Sequence, residues 1–376
     1  MDKSIRKIDL SDMFEIIYKF PEQLQQAMEI GKRIEVTGNY TNINSIIFCG
    51  MGGSAIGGEV IKRLISRECP FPTYVCRNYS LPHWANERSL VICFSYSGNT
   101  EETLSMLEDA IIRKSMIVGI SSGGRLKERI VQIESEFIQI PGGFPPRASL
   151  GFITIPILYL LKNLMLLKSD VTIEIESVVN HLSIWRDSFC KTGEKSEPFR
   201  IAKSIFKTVP VIYGVADDTE VITKRWRSQL EENGKILAFN NELPEMNHNE
   251  IVGYENNKNL LKNISVIWLK DKEDHLRIQL RQKLTKDLID TLVNIQIEVT
   301  SKGESEYERL FYFVYLGDWV SYWVAILNNT DPTPVTKITE LKSGLSQINI
   351  IKNSERGLQT VTANTKLITS LNNLLL

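Results

Sequence analysis

Histidine and cysteine are scarce in this chain, at four and five residues among 376. The histidines (His83, His181, His248 and His275) are never spaced i, i+3 or i, i+4, and no cysteine–histidine cluster occurs, so no metal-ligand set is legible. The odd number of cysteines and the lack of a CxxC pair exclude the disulfide framework of a small secreted domain. Cys49, Cys76 and Cys93 lie inside strand-like runs, as expected of buried thiols in a reduced cytoplasmic protein. An excess of either charge is also missing: 44 Lys+Arg against 45 Asp+Glu leave a net −1, which gives no footprint for nucleic acid or an anionic membrane. The longest apolar stretch, Phe152 to Leu161, is broken by Pro156 and followed by Lys162. It falls short of the roughly 20 residues that span a bilayer. The opening MDKSIRKIDLSDMF has no apolar core of a signal peptide. These absences point away from nucleic-acid and membrane partners and toward a soluble protein of the cytoplasm.

What is present is a regular alternation. Hydrophobic residues make up 43% of the chain and charged residues 24%, a globular composition. From Ser45 onward, short β-branched runs alternate with amphipathic stretches: strands at 45–49, 73–76, 90–94, 116–120 and 137–140, helices at 59–66 and 101–113. Such alternation predicts βαβ units around a parallel sheet buried on both faces, an α/β fold. Residues 151–185 read as helical and strongly apolar, and the polar Lys191–Pro198 reads as a linker. A second series follows, with strands at 209–214, 235–239, 265–269 and 296–300 and helices at 224–232, 276–292 and 312–327, then one more to about Gly344. The chain therefore divides into a helical lead-in (1–44), a first α/β subdomain (45–160), a helical connector (161–200), a second subdomain (201–345) and an extension (346–376) with no assigned role. The two subdomains share an order of elements rather than residue identity.

Two segments carry chemistry. Gly50-Met51-Gly52-Gly53-Ser54-Ala55 formally satisfies GxGxxA between a strand and a helix. A dinucleotide would also need an acid at the end of the second strand, but that strand ends in Arg77-Asn78, and Glu68 precedes it. A glycine turn used for close packing alone is the other reading. The second segment, Ser95-Tyr96-Ser97-Gly98-Asn99-Thr100-Glu101-Glu102-Thr103, puts hydroxyls at 95, 97 and 100 around a glycine where a strand runs into a helix. Backbone N–H groups at a helix N-terminus bind phosphate, and neutral hydroxyls complete its hydrogen bonds. Capping by Ser97 or Thr100 would explain one hydroxyl but not three.

Together, Gly50–Ser54 and Ser95–Thr103 resemble the sugar isomerase (SIS) domain. More narrowly, Pro145-Pro146-Arg147, Glu232-Asn233-Gly234-Lys235, Asn247-His248-Asn249-Glu250 and Asp331-Pro332-Thr333-Pro334-Val335 followed by Leu341-Lys342 resemble the bifunctional phosphoglucose/phosphomannose isomerase family, best known from archaea. The match keeps its order from about residue 45 to 345. The resemblance implies two SIS-type subdomains, each a mainly parallel sheet flanked by helices. It implies an aldose–ketose isomerase for glucose 6-phosphate, with mannose 6-phosphate as second aldose, working through a cis-enediol without cofactor or metal.

By the same resemblance, Gly52, Gly53, Ser54, Ser95, Ser97 and Thr100 bind the sugar phosphate and Glu232 is the general base. Arg147 stabilises the enediolate, and His248 opens the ring from the second subunit of a homodimer. Lys342, with Lys337 as fallback, takes part in ring opening. Read alone, Glu232 is a solvated end-of-helix acid, His248 a loop histidine and Arg147 a surface turn cation. A non-catalytic phosphosugar sensor would want a DNA-binding domain, and the isomerase half of an amidotransferase would want a glutaminase with a nucleophilic cysteine; neither is apparent. An SIS isomerase for another sugar phosphate stays open. The extension after Lys342 departs from the family pattern.

Overall fold

The computed structural model describes residues 3–346, 348–352 and 359–363. The chain forms two compact units, residues 1–332 and 333–376. The larger begins with helices α1 (Lys3–Arg6), α2 (Met13–Tyr18) and α3 (Phe20–Lys32). A first α/β series follows: β1 (Ser45–Cys49), α4 (Gly52–Ile65), β2 (Thr73–Cys76), β3 (Ser89–Phe94), α5 (Glu101–Ile112), β4 (Met116–Ser121), α6 (Gly124–Gln132) and β5 (Glu136–Gln139). Its five strands are parallel, in the order β2-β1-β3-β4-β5. Every residue of β1 and β3 is buried, which is why these strands read as unbroken apolar runs.

Helices α7 (Leu150–Asn163), α8 (Val171–Phe189) and α9 (Glu197–Ser204) lead to the second series. It comprises β6 (Val209–Val215), α10 (Glu220–Glu232), β7 (Phe239–Leu243), α11 (Lys258–Leu261), β8 (Ile264–Lys270), α12 (Leu276–Ile289), β9 (Ile295–Thr300) and α13 (Glu306–Leu327). These four strands are also parallel, in the order β7-β6-β8-β9. In each sheet the chain leaves a central strand (β1 or β6), pairs on one side and then crosses to the other. This puts a topological switch point, where α/β sheets bind ligands, at the carboxyl ends of β1/β3 and of β6/β8. Helix α13 opens on a capping box between Ser305 and Glu308 and is buried from Tyr307 to Ala325 against α8, α9 and α10. It is long and apolar enough to cross a membrane, but 89% of its apolar window lies inside the fold, so it serves as the core helix. The smaller unit holds α14 (Thr336–Ser346) and an antiparallel pair, β10 (Ile348–Lys352) and β11 (Gln359–Ala363).

Four sequence expectations need correction. Helix α4 starts at Gly52 rather than near 59, because Gly57 and Gly58 let it lie directly on Ile153 and Phe48. The helical stretch 151–185 is two helices, split where Met165 turns left-handed (φ 57°) and Asp170 caps α8 through the Thr172 N–H at 3.0 Å. The strand expected at 235–239 instead runs from Phe239 to Leu243. Lys235 is left-handed (φ 54°), and the polar Asn240-Asn241-Glu242 is tolerated because β7 is an edge strand. Finally, α13 begins at Glu306, a turn and a half before the expected Tyr312, at its capping box.

The two switch points differ in chemistry. At β1/β3 the loops carry glycine and hydroxyls. At β6/β8 they carry Asp218 and Asp271, and guanidinium groups already occupy them. Asp271 receives Arg309 Nε at 3.0 and 3.1 Å, and Asp218 receives Arg63 from α4 at 2.6 and 3.0 Å.

Candidate active site

The glycine turn and the hydroxyl loop stand side by side because β1 and β3 pair in register, Cys49 opposite Cys93. Gly52 is left-handed (φ 52°) and starts α4, whose N-cap Met51 offers no side-chain bond. A Cβ on Gly53 would stand 3.0 Å from the Pro146 carbonyl and 3.2 Å from Arg147 Cα, so only glycine lets the turn approach Arg147 this closely. Ser54 is buried in the first turn of the same helix.

In the hydroxyl loop, Ser95 Oγ donates to Thr100 Oγ1 at 2.9 Å and accepts the Thr100 N–H at 3.3 Å; Ser97 Oγ accepts the Asn99 N–H at 3.3 Å. Gly98 (φ 71°) seats the loop on Gly123, whose carbonyl would lie 1.7 Å from any Cβ. Thr100 is the N-cap of α5, but its side chain caps nothing. Among the described residues no side chain accepts from the first-turn N–H groups of α5, which also lack intrahelical acceptors, an arrangement suited to an anion.

Arg147 lies in a 3₁₀ turn, Pro146–Ala148, just before α7. Gln23 on α3 holds this turn from behind, donating to the Ala148 carbonyl at 2.8 Å and accepting the Gly151 N–H at 3.0 Å. The Arg147 side chain is only 4% exposed. Its Nε donates to Asn233 Oδ1 at 2.5 Å, one terminal nitrogen to the Pro332 carbonyl at 2.8 Å, and the other to Glu232 Oε2 at 3.4 Å. Three of the quoted segments, around residues 147, 232–235 and 332, thus converge on one guanidinium. Burial pushes its pKa down, against the opposing pull of Glu232, Asp318 and Asp331.

A buried network fixes this arrangement. Arg225 on α10 donates to the Arg147 carbonyl at 3.1 Å and to both Asp318 oxygens at 2.8 Å, while Gln229 adds a bond to Asp318 at 2.6 Å. Asn233 Nδ2 donates to Ser321 Oγ at 3.0 Å, and Ser321 donates to the Asp318 carbonyl at 2.8 Å. Burial raises the Asp318 carboxyl even against Arg225 and Gln229. Sequence reasoning missed Asp318, Arg225 and Asn233 as supports. One signal was available: Asp318 interrupts an aromatic helix, and a buried acid there requires a cation. Lys235 was also passed over. It follows Gly234 at the end of α10 and turns its ammonium back to the Glu232 carbonyl and, at 3.1 Å, to the Pro332 carbonyl.

His248 stands apart from this cluster. His248 ends a 3₁₀ segment, Glu245–His248, at the carboxyl end of β7. Asn247 pins that segment to Thr285 of α12 at 2.8 Å, and Glu250 pins it by accepting from Tyr213 and Asn241. Among the described residues no hydrogen bond or ion pair joins His248 to Arg147 or Glu232. Lys342 and Lys337 lie on α14 of the smaller unit, where Lys337 faces Glu340 at 3.7 Å.

Chemically, the larger unit offers a carboxylate against a buried guanidinium, next to a glycine turn and a helix start lined by hydroxyls. Such a set can abstract a carbon-bound proton, stabilise the oxyanion that forms and hold a phosphate. The chain is similar to several known proteins. Residues 194–345 match the family described as the bacterial phospho-glucose isomerase C-terminal SIS domain. A bifunctional phosphoglucose/phosphomannose isomerase from Caldicellulosiruptor bescii is 42% identical over 338 residues, 89% of this chain and 99% of that protein. One of the same name from Aquifex aeolicus is 38% identical over 315 residues, 83% and 94% of the two chains. In three dimensions, the C-terminal domain of glucosamine-fructose-6-phosphate aminotransferase from Francisella tularensis superposes with a TM-score of 0.65 at 17% identity, covering 86% of this chain and 98% of that one. The last likeness shows the fold.

Proposed function

The chain belongs to the bifunctional phosphoglucose/phosphomannose isomerase family, and on that premise we propose that it interconverts glucose 6-phosphate, and mannose 6-phosphate as a second aldose, with fructose 6-phosphate by metal-independent proton transfer through a cis-enediol. Glu232 takes the C2 proton and returns it at C1, and Arg147 neutralises the enediolate oxygen. The start of α5 with Ser95, Ser97 and Thr100, and the turn Gly52-Gly53-Ser54, hold the phosphate. The observation that carries this reading is the Arg147–Glu232 contact at 3.4 Å, backed by the closeness of Gly53 to Arg147. On this reading the base and its oxyanion partner lie beside the turn that holds the phosphate.

Ring opening falls to His248 of a second copy of the chain, with Lys342 (or Lys337) assisting. Support for a homodimer comes from α12: Leu276, Leu280, Leu284 and Leu288 form an exposed stripe at i+4 spacing, on the helix to which the His248 segment is pinned. The subdomain limits 45–160 and 201–345, joined by 161–200, belong to the same reading. Five free cysteines fit a reducing cytoplasm, where these sugar phosphates are found.

The test is a coupled assay of purified protein in EDTA, supplying each aldose phosphate separately and reading the fructose 6-phosphate formed. Turnover of both supports the proposal, and turnover of glucose 6-phosphate alone narrows its specificity. Turnover of neither refutes it.

A further inference from the structure

A cation that the sequence motif contains but no role explains stands beside Glu232. Helix α10 does not simply end at Glu232: Asn233 continues the turn, Gly234 packs against the Leu230 carbonyl and Val324, and Lys235 adopts φ 54°. That left-handed turn swings the Lys235 side chain back over the helix end. Its ammonium donates to the Glu232 carbonyl and to the Pro332 carbonyl at 3.1 Å. Arg147 donates to the same Pro332 carbonyl at 2.8 Å and reaches the Glu232 carboxylate at 3.4 Å. Glu232 is therefore held twice, its carboxylate by Arg147 and its main chain by Lys235, and one backbone oxygen ties the two cations together.

We propose that Lys235 is a positioning residue for the isomerisation, its protonated ammonium clamping the end of α10 so that the Glu232 carboxylate stays against Arg147. The inference rests on the isomerase reading above. The charged groups that face Lys235 are Arg147 from the turn before α7, Glu232 from α10 and Asp331 from the segment after α13. Lys235 as a residue is exposed, but partial desolvation of its ammonium and the Arg147 charge push that ammonium down to about 8, with Asp331 and Glu232 pulling the other way. Loss of that proton replaces two charge-assisted hydrogen bonds by weaker neutral ones and slackens the clamp. Turnover should consequently fall with an alkaline limb near the pH at which Lys235 titrates.

The experiment is a pH profile of kcat and KM for glucose 6-phosphate from pH 6 to 10, on the full chain and on Lys235→Met and Lys235→Arg. The wild type is expected to lose rate above about pH 8. Lys235→Met should lower kcat at pH 7 by roughly ten- to a hundredfold with KM changed less than about threefold, and should lack that limb. Lys235→Arg, charged throughout this range, should restore most of the rate at pH 7 and hold it beyond pH 9. Neither substitution alters backbone demands at this left-handed position, since both side chains are unbranched at Cβ like lysine. An unchanged kcat in Lys235→Met, or a wild-type limb retained in Lys235→Arg, overturns the inference alone. No turnover by the wild type on either aldose overturns the isomerase reading and this inference with it.

Discussion

Asp318→Asn should be among the most damaging single-atom exchanges the chain can suffer. Asp318 is 5% exposed and Arg225 3%, so solvent screens neither charge. The carboxylate accepts two bonds from Arg225 and one from Gln229. With asparagine, the Arg225 guanidinium stays buried without a counter-charge, and one of the acceptor oxygens becomes a donor. Breaking one side of a buried pair costs about 3–5 kcal/mol, and the amide oxygen that remains should hold the loss near 3. Removing both charges, as Arg225→Met with Asp318→Leu, leaves no buried charge unpaired. It costs the bond from Arg225 to the Arg147 carbonyl and the bond from Gln229 to Asp318, about 1 kcal/mol net each. The double variant should therefore be more stable than Asp318→Asn.

Urea unfolding followed by tryptophan fluorescence reads this directly, because Trp319 and Trp323 stack on the same helix. With a slope of about 3 kcal/mol/M, the Asp318→Asn midpoint should drop by about 1 M. A drop under about 0.2 M, or a double variant less stable than the single, would refute the argument that the pair is held by mutual dependence.

Gly98→Ala should raise KM for the sugar phosphate at least tenfold and cost more than about 1 kcal/mol of stability, since φ is 71° and the added methyl would collide with the Gly123 carbonyl; an unchanged KM would take the hydroxyl loop out of substrate binding. Glu232→Gln should lower kcat by about a hundredfold or more while the sugar phosphate still binds, as titration calorimetry would show; full activity removes Glu232 as base. Asp274, pushed up to about 7 by burial and by the neighbouring Asp218 and Asp271, should make the fold less stable as pH rises. The sign follows from its holding a proton in the fold that the unfolded chain has already released above about pH 4, so stability is lost between about pH 4 and 7. Asp274→Asn should raise the melting temperature at pH 8 but not at pH 4; no difference at pH 8 would contradict it.

The strands at the centre of the first sheet were legible because they are buried on two faces, which makes Ser45–Cys49 and Leu90–Phe94 continuous apolar runs. The edge strand β7 was not. Its Asn-Asn-Glu looks like a loop, and the apolar Ile236-Leu237-Ala238 before it looks like the strand. The site shows the same split. Ser95 to Thr100 and Gly52-Gly53 could be read locally, since a turn and a helix start are built from neighbours. The support of Arg147 could not, because Asp318 lies 93 residues from Arg225 and Pro332 lies 185 from Arg147. The aromatic run around Asp318 shows that a cation is needed there, but no local pattern says which one; tertiary packing alone brings it in.

The duplication of the sheet plan has a consequence for stoichiometry. A ligand-binding crevice is offered twice by topology, but the second one has been closed with the chain's own chemistry. Arg309 against Asp271 and Arg63 against Asp218 fill it with internal charge where the first crevice keeps hydroxyls and bare amides. A phosphate approaching β6 and β8 would meet carboxylates whose cations are already spent. On the proposed reading, each chain takes up a single phosphosugar, and the second half of the molecule contributes Glu232 and rigidity rather than a second seat.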